Sequence, residues 1–204
     1  MKYAKYFLIV AAGLAIAGCG GPGKKPNKHV QVVHQSTAAV IAKQVNSQVE
    51  AGGVVLLVHR QASEPIAQAW EEGLVETLDS RFNLVTYTLE HMSEGAAASE
   101  QGAVPLGEGM QKNGGAVAVI SAIQVDPEPF TTLSSGEAMM FALEWPFLEL
   151  AGPLLSGGQL KAGVFEREHR DVSAKAAKDA SPELTMSARY LLATPENWQS
   201  MVGL

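Results

Sequence analysis

Val54 to Val58 reads Val-Val-Leu-Leu-Val, an unbroken apolar run with no polar alternation. A run this short and this uniform fits a strand buried on both faces. Such strands occur where helices cover a parallel sheet on either side. Gly52 and Gly53 precede it, and Ser63 and Pro65 follow it with the chemistry of a helix start. Ile66, Trp70, Leu74 and Leu78 then recur at helical spacing as far as Phe82. Strand, crossover helix, strand is the unit from which parallel sheets are built.

The same grammar extends in both directions. Ala38, Ile41, Val45 and Val49 predict a helix over Ser36 to Glu50, closed by Gly52. Leu84 to Leu89 predicts a second strand, Ala116 to Ile123 a third, Leu160 to Glu168 a fourth and Ala188 to Ala193 a fifth. A short helix is expected over Leu106 to Lys112, ending at Asn113-Gly114-Gly115, and a last helical turn after Pro195. Residues 94–109 are rich in Ala, Gly, Ser and Glu and read as a loop. Ser134 and Glu137 have the spacing of a capping box, which predicts an apolar helix over Ala138 to Leu150, kinked at Pro146. The expectation is an α/β fold: one three-layer domain with a mostly parallel five-stranded sheet, order 2-1-3-4-5, and helices on both faces.

Before this domain the chain changes character. Lys2 and Lys5 precede an apolar run from Tyr6 to Ala17, then small residues, then Cys19. Basic, apolar, small is the order of a secretory signal, and the run is short for a membrane span. Ile16-Ala17-Gly18-Cys19 resembles the lipobox of bacterial lipoproteins, with Ile16 in place of the commoner Leu. That resemblance implies cleavage before Cys19, with a diacylglyceryl group and an N-acyl chain on this residue. It implies no other cofactor. Cys19 is the single cysteine, so a lipidated chain has no thiol left for a disulfide or a nucleophile. The organisation expected is 1–18 signal peptide, 19–30 lipidated tether and 31–204 the α/β domain. Ten extended tether residues reach about 35 Å at most, which keeps the domain close to the bilayer. Gly20 after the cysteine resembles the outer-membrane sorting choice of enteric-type bacteria. The expected location is therefore the cell envelope: the periplasmic face of an outer membrane where one exists, otherwise the outer face of the cytoplasmic membrane.

The formal charge is −6, and removing residues 1–18 takes away two lysines and no acid. An acidic body lacks the positive face that displaces counterions from nucleic acid, so no nucleic-acid partner is expected. Two apparent nucleotide motifs also fail. Gly18 to Lys25 approximates a phosphate loop, but Lys25 stands where the magnesium-binding hydroxyl belongs. Leu155 to Gln159 spells Leu-Ser-Gly-Gly-Gln, which resembles the signature motif of ABC-transporter ATPases. With no phosphate loop elsewhere, a turn before the strand at Leu160 is the better reading.

Two families resemble the folded part. Val54 to Leu89, followed by Ala116 to Ile123, looks like one lobe of the type I periplasmic binding proteins, which hold solutes between two lobes. Trp70-Glu71-Glu72-Gly73-Leu74 is similar to the Trp-x-x-Gly-Leu helix in small α/β domains of the curli-secretion and TolB N-terminal type. The first resemblance implies solute binding, the second an envelope-protein contact.

In a doubly wound sheet, ligands sit at the carboxyl ends of the strands. Those ends carry His59 and Arg60, Glu90 and His91, Asp126, and Glu168 and His169. Converging imidazoles and carboxylates suit ligand binding, whereas solvated loop polars are the ordinary alternative. No His-x-x-x-His spacing points to a metal. Met139, Met140, Phe141, Trp145 and Phe147 form the second candidate set, an apolar patch for a partner protein, with a buried helix as its alternative. The leading expectation is a non-enzymatic envelope lipoprotein that meets a partner protein or polymer. A small-molecule or metal-binding rim is second. An enzyme is third, because no catalytic motif is recognisable.

Overall fold

The computed structural model describes residues 28–60, 64–89, 106–134, 136, 138–167, 180–187 and 189–202. Their elements follow in order: α1 (Lys28–Gln48), β1 (Gly53–Arg60), α2 (Glu64–Thr77) and β2 (Phe82–Leu89). A short helix α3 (106–112) leads to β3 (Ala116–Ser121). Then come α4 (Pro127–Leu133), β4 (Met139–Trp145), α5 (Leu148–Ser156), β5 (Leu160–Glu166), α6 (Pro182–Met186) and β6 (Tyr190–Ala193). A 3-10 turn (Trp198–Met201) follows. Among the described residues, no helix is long and apolar enough to cross a membrane.

The strands form one sheet in the order β2-β1-β3-β4-β5-β6. Every neighbouring pair is parallel except β5 and β6, which are antiparallel. Apolar side chains leave both faces of the sheet. On one face Val55, Leu57, Ile120, Phe141 and Val164 pack against α1, α2 and α6. On the other Leu56, Val58, Val119, Met140 and Phe165 pack against α3, α4 and α5. This is the expected single three-layer α/β domain, with one more strand than the sequence reading counted.

The extra strand is β4. The segment read as an apolar helix is extended, and Met140, Phe141, Leu143 and Trp145 are fully or almost fully buried within the sheet. Ser134, expected to open that helix, closes α4 instead, its backbone N–H donating to the Phe130 carbonyl. Ser135 and Glu137 lie outside the described residues. Pro146 cuts the apolar run short after Trp145, and bulky aromatic residues favour a pleated surface covered on both sides. The element read as the fifth strand becomes β6, the antiparallel edge. Pro146 marks the end of β4 and the start of the passage to α5.

Other expectations match except at the start of the first helix, where residues 28–30 of the stretch read as tether are already helical. Helix α1 begins at Lys28 rather than Ser36 and ends at Gln48. The Leu155 to Gln159 stretch is a helix end: Gly157 caps α5, and Gly158 takes a left-handed φ of 72° that glycine adopts without strain. Helices α1 and α2 cross at Gly73, where an added Cβ would sit 2.2 Å from the Gln35 carbonyl oxygen. Glycine is needed there for close approach, and that approach brings Trp70 against α1.

Candidate functional site

The carboxyl ends of the parallel strands hold a polar cluster inside an otherwise apolar face, with Glu144 at its centre. Glu144 lies one residue before the end of β4, in a β-bulge. Ala142 pairs with Gly163 and Trp145 with Phe165, so β4 carries one extra residue. Glu144 absorbs it with a φ of 56°, a left-handed conformation that costs a side-chain-bearing residue about 1–2 kcal/mol. The bulge also changes direction. Leu143 packs on the α1 side and Trp145 on the opposite side, and the extra residue turns Glu144 toward α1 with Leu143. Re-aiming a side chain is what bulges near functional sites do.

Four donors converge on this carboxylate. His34 Nδ1 donates to its oxygens at 2.7 and 2.8 Å. Trp70 Nε1 donates at 3.0 Å and the Tyr190 hydroxyl at 3.2 Å. Thr37 Oγ1 contacts Oε1 as well, and is 2.7 Å from the His34 carbonyl oxygen, so its single proton serves two acceptors. The Glu144 and His34 side chains are only 7% and 10% exposed. Among the described residues no Lys or Arg pairs with Glu144. The carboxylate is instead held by dipoles and an imidazole, and hydrogen bonding of this density satisfies its lone pairs.

Each donor is supplied by a different packing decision. Helix α1 runs antiparallel to the strands, which brings its first turns, and so His34 and Thr37, to the carboxyl-end rim. The α1–α2 crossing at Gly73 brings Trp70 beside them. β6 adds Tyr190 from the far side, opposite Glu166 on β5. The rings meet edge-on: His34 is 6.1 Å from Trp70 and 6.5 Å from Tyr190.

Burial is the main reason the Tyr190 phenol ionises well above its ordinary range, with the Glu144 and Glu166 charges adding to it and Arg189 opposing. A raised acid favours folding below the unfolded-state value, near pH 10, and that contribution disappears as pH climbs toward the folded-state value. The Tyr190→Phe variant should therefore lose about 1 kcal/mol at neutral pH for the missing hydrogen bond. Above about pH 10 its stability should fall less steeply than that of the parent. Urea midpoints taken from neutral to alkaline pH check this, and parallel curves would contradict it.

The sequence-predicted rim residues fare unequally. His59 ends up on the same face, 3% exposed, its ring 5.8 Å from Trp70 and its Nε2 3.2 Å from the Thr88 hydroxyl. It is a second layer behind the Glu144 cluster, not an exposed rim group. Arg60 is the last residue of β1. Asp126 is exposed at the N-cap of α4, on the opposite face of the sheet. Glu90, His91, Glu168 and His169 lie outside the described residues, as do Cys19 and residues 1–27.

The apolar patch is corrected. Met140, Phe141 and Trp145 are core side chains of β4 and present no docking surface, while Met139 and Phe147 are half-buried. The sequence reading missed His34, Thr37, Glu144 and Tyr190 and took Trp70 for a core residue. The signal that was present is Glu144 itself, a single carboxylate inside Met139 to Leu148. At the opposite, amino-terminal end of the sheet a half-open groove of about 590 Å³ runs past Val49, Val117, Ala138 and Met139. Its lining is largely apolar, with Glu50 as the charged residue among the described ones.

No family model matches this sequence, and no curated protein matches it. Solved structures do match by shape. A carbohydrate-transporter solute-binding protein from Agrobacterium radiobacter, in complex with D-arabinose, superposes with a TM-score of 0.56 at 12% identity, over 83% of this chain and 63% of that one. A sugar-binding protein of a Bacillus halodurans sugar ABC transporter gives 0.56 at 10% identity, over 82% and 64%. A periplasmic ribose ABC transporter protein from Conexibacter woesei gives 0.54 at 11% identity, over 82% and 59%. The fold is that of periplasmic solute-binding proteins. The chain spans about three fifths of the length of these solute-binding proteins. At this identity the likeness establishes fold alone.

Proposed function

We propose that this chain is a lipid-anchored envelope protein whose α/β domain binds a small polar solute at the carboxyl-end rim of its sheet. The observation that carries this reading is the Glu144 cluster. A strained, bulged carboxylate surrounded by imidazole, indole, phenol and hydroxyl groups stands at the rim where open α/β sheets take their ligands. Buried polar networks in strained backbone gather at ligand sites. The solute-binding-protein fold supports it, since proteins of that shape are named for complexes with D-arabinose and D-allose. The interaction-only role loses its main support because its patch is core. A lipid on Cys19 and the tether after it would hold the domain at a membrane, beside which a transport or sensing partner would operate.

Thermal unfolding of the purified chain against pentoses, hexoses, amino acids and nucleotides tests this reading. A specific solute at about 100 times its dissociation constant should stabilise the fold by about 2.7 kcal/mol. The shift should saturate with concentration and vanish in Trp70→Ala. No shift from any solute at millimolar concentration would remove the reading.

A further inference from the structure

The carboxylate of Glu144 is saturated by its own donors, so it is not the group that meets a ligand. Its effect passes through His34. Because Nδ1 of His34 faces a carboxylate, which has no proton to give, the neutral ring must carry its proton on Nδ1. That leaves Nε2 with a lone pair, and Nε2 makes no hydrogen bond among the described residues. Nor is it one of the sealed, unpartnered atoms: among described residues that condition is met by Arg167 Nε. A carboxylate behind an imidazole fixes the ring's tautomer and orientation.

We infer that Glu144 and His34 form a carboxylate–imidazole pair whose Nε2 accepts a hydrogen bond from a hydroxyl of a neutral solute. This rests on the solute-binding reading above and names its contact residue and ligand chemistry. The surroundings select the ligand class. Glu144 is buried beside His34, and Glu166 places a second negative charge near Tyr190, offset in part by Arg189. No Lys or Arg hydrogen-bonds to Glu144 among the described residues. An anionic ligand would approach the negative charges of Glu144 and Glu166, whereas a neutral hydroxyl offers the proton that Nε2 takes. The edges of the Trp70 and Tyr190 rings flank His34 and limit the approach. His34 is a positioning and specificity residue here, with no reaction implied.

Two variants separate the ring nitrogens. In His34→Asn the side-chain amide occupies the place of Nδ1 and still donates to Glu144, but nothing replaces Nε2. In His34→Gln the amide reaches the place of Nε2 and leaves Nδ1 empty. The full-length chain, labelled with ¹⁵N at histidine, is observed by NMR at about pH 8, above the usual imidazole range. D-Arabinose and D-allose are then added to parent and variants, followed by thermal shift. The expected result is a neutral His34 protonated on Nδ1, whose Nε2 resonance moves on sugar binding. His34→Asn should keep the unfolding midpoint near that of the parent while weakening sugar binding at least tenfold. A proton on Nε2, or a ring still doubly protonated at that pH, overturns the assignment. Equal sugar affinity in His34→Asn overturns it too. A parent that ignores every solute defeats the solute-binding reading, and the NMR tautomer still decides the proton placement on its own.

Discussion

Replacing Glu144 by Ala is expected to destabilise the domain by about 3–5 kcal/mol, the usual consequence of removing one member of a buried, hydrogen-bonded charge cluster. Lost acceptors are the cause, and the variant gains no relief of strain to offset them. The Trp70 indole, the Tyr190 hydroxyl and His34 Nδ1 lose their acceptor inside the protein. Unmade hydrogen bonds at buried donors cost about 1–3 kcal/mol each where water cannot enter. The backbone strain at residue 144 also survives, because Ala dislikes a φ of 56° as Glu does. Glu144→Gly removes that strain and should recover about 1–2 kcal/mol of the loss. Glu144→Gln keeps one acceptor oxygen and should fall between the parent and Ala. Urea unfolding of the three variants ranks them. If Ala and Gly were equally unstable, the bulge would not be strained.

The second large effect belongs to Trp145. Its side chain is fully buried between Phe130 and Phe165, in edge-on contact at 5.6 and 6.3 Å, and its indole N–H donates to the Ser121 carbonyl at 2.8 Å. Trp145→Ala should cost about 3–5 kcal/mol through lost burial and the cavity left behind. Trp145→Phe should recover most of it and lose the indole hydrogen bond, worth about 1 kcal/mol. A docking residue would behave in the opposite way, with unfolding midpoints unchanged and partner binding lost. The urea midpoint of Trp145→Ala therefore decides between core and docking surface.

These two residues also show what the sequence could disclose. β1 and β3 were legible as short apolar runs entered from paired glycines, Gly52-Gly53 and Gly114-Gly115, and β2 as a β-branched and aromatic stretch directly after α2. β4 was not, since an apolar stretch buried all round has neither the period of a half-buried strand nor that of an amphipathic helix. Its length, its aromatic residues and Pro146 directly after it were the available arbiters. The carboxyl-end rim of the sheet was legible as a place in the fold, because the topology of parallel sheets dictates which strand ends lie together. Its occupants were not, because the Glu144 partners come from α1, α2 and β6. Nothing local ties His34 to Glu144, and a bulge that turns a carboxylate inward leaves no trace in an alternation pattern. His59 was recognised as a strand-end group, yet its side follows from strand register, which puts it behind Trp70.

The wide spacing of those partners has a kinetic consequence. His34 lies 110 positions from Glu144 in the chain, Thr37 107, Trp70 74 and Tyr190 46. Contacts this remote form only after long loops have closed, so the carboxylate is fastened last, once the first helix and the last strand are both in place. Interactions absent from the folding transition state govern how fast the native state opens and barely affect how fast it forms. Glu144 is thus expected to act as a clasp: in Glu144→Ala the folding arm of a chevron plot should barely move and the unfolding arm should rise.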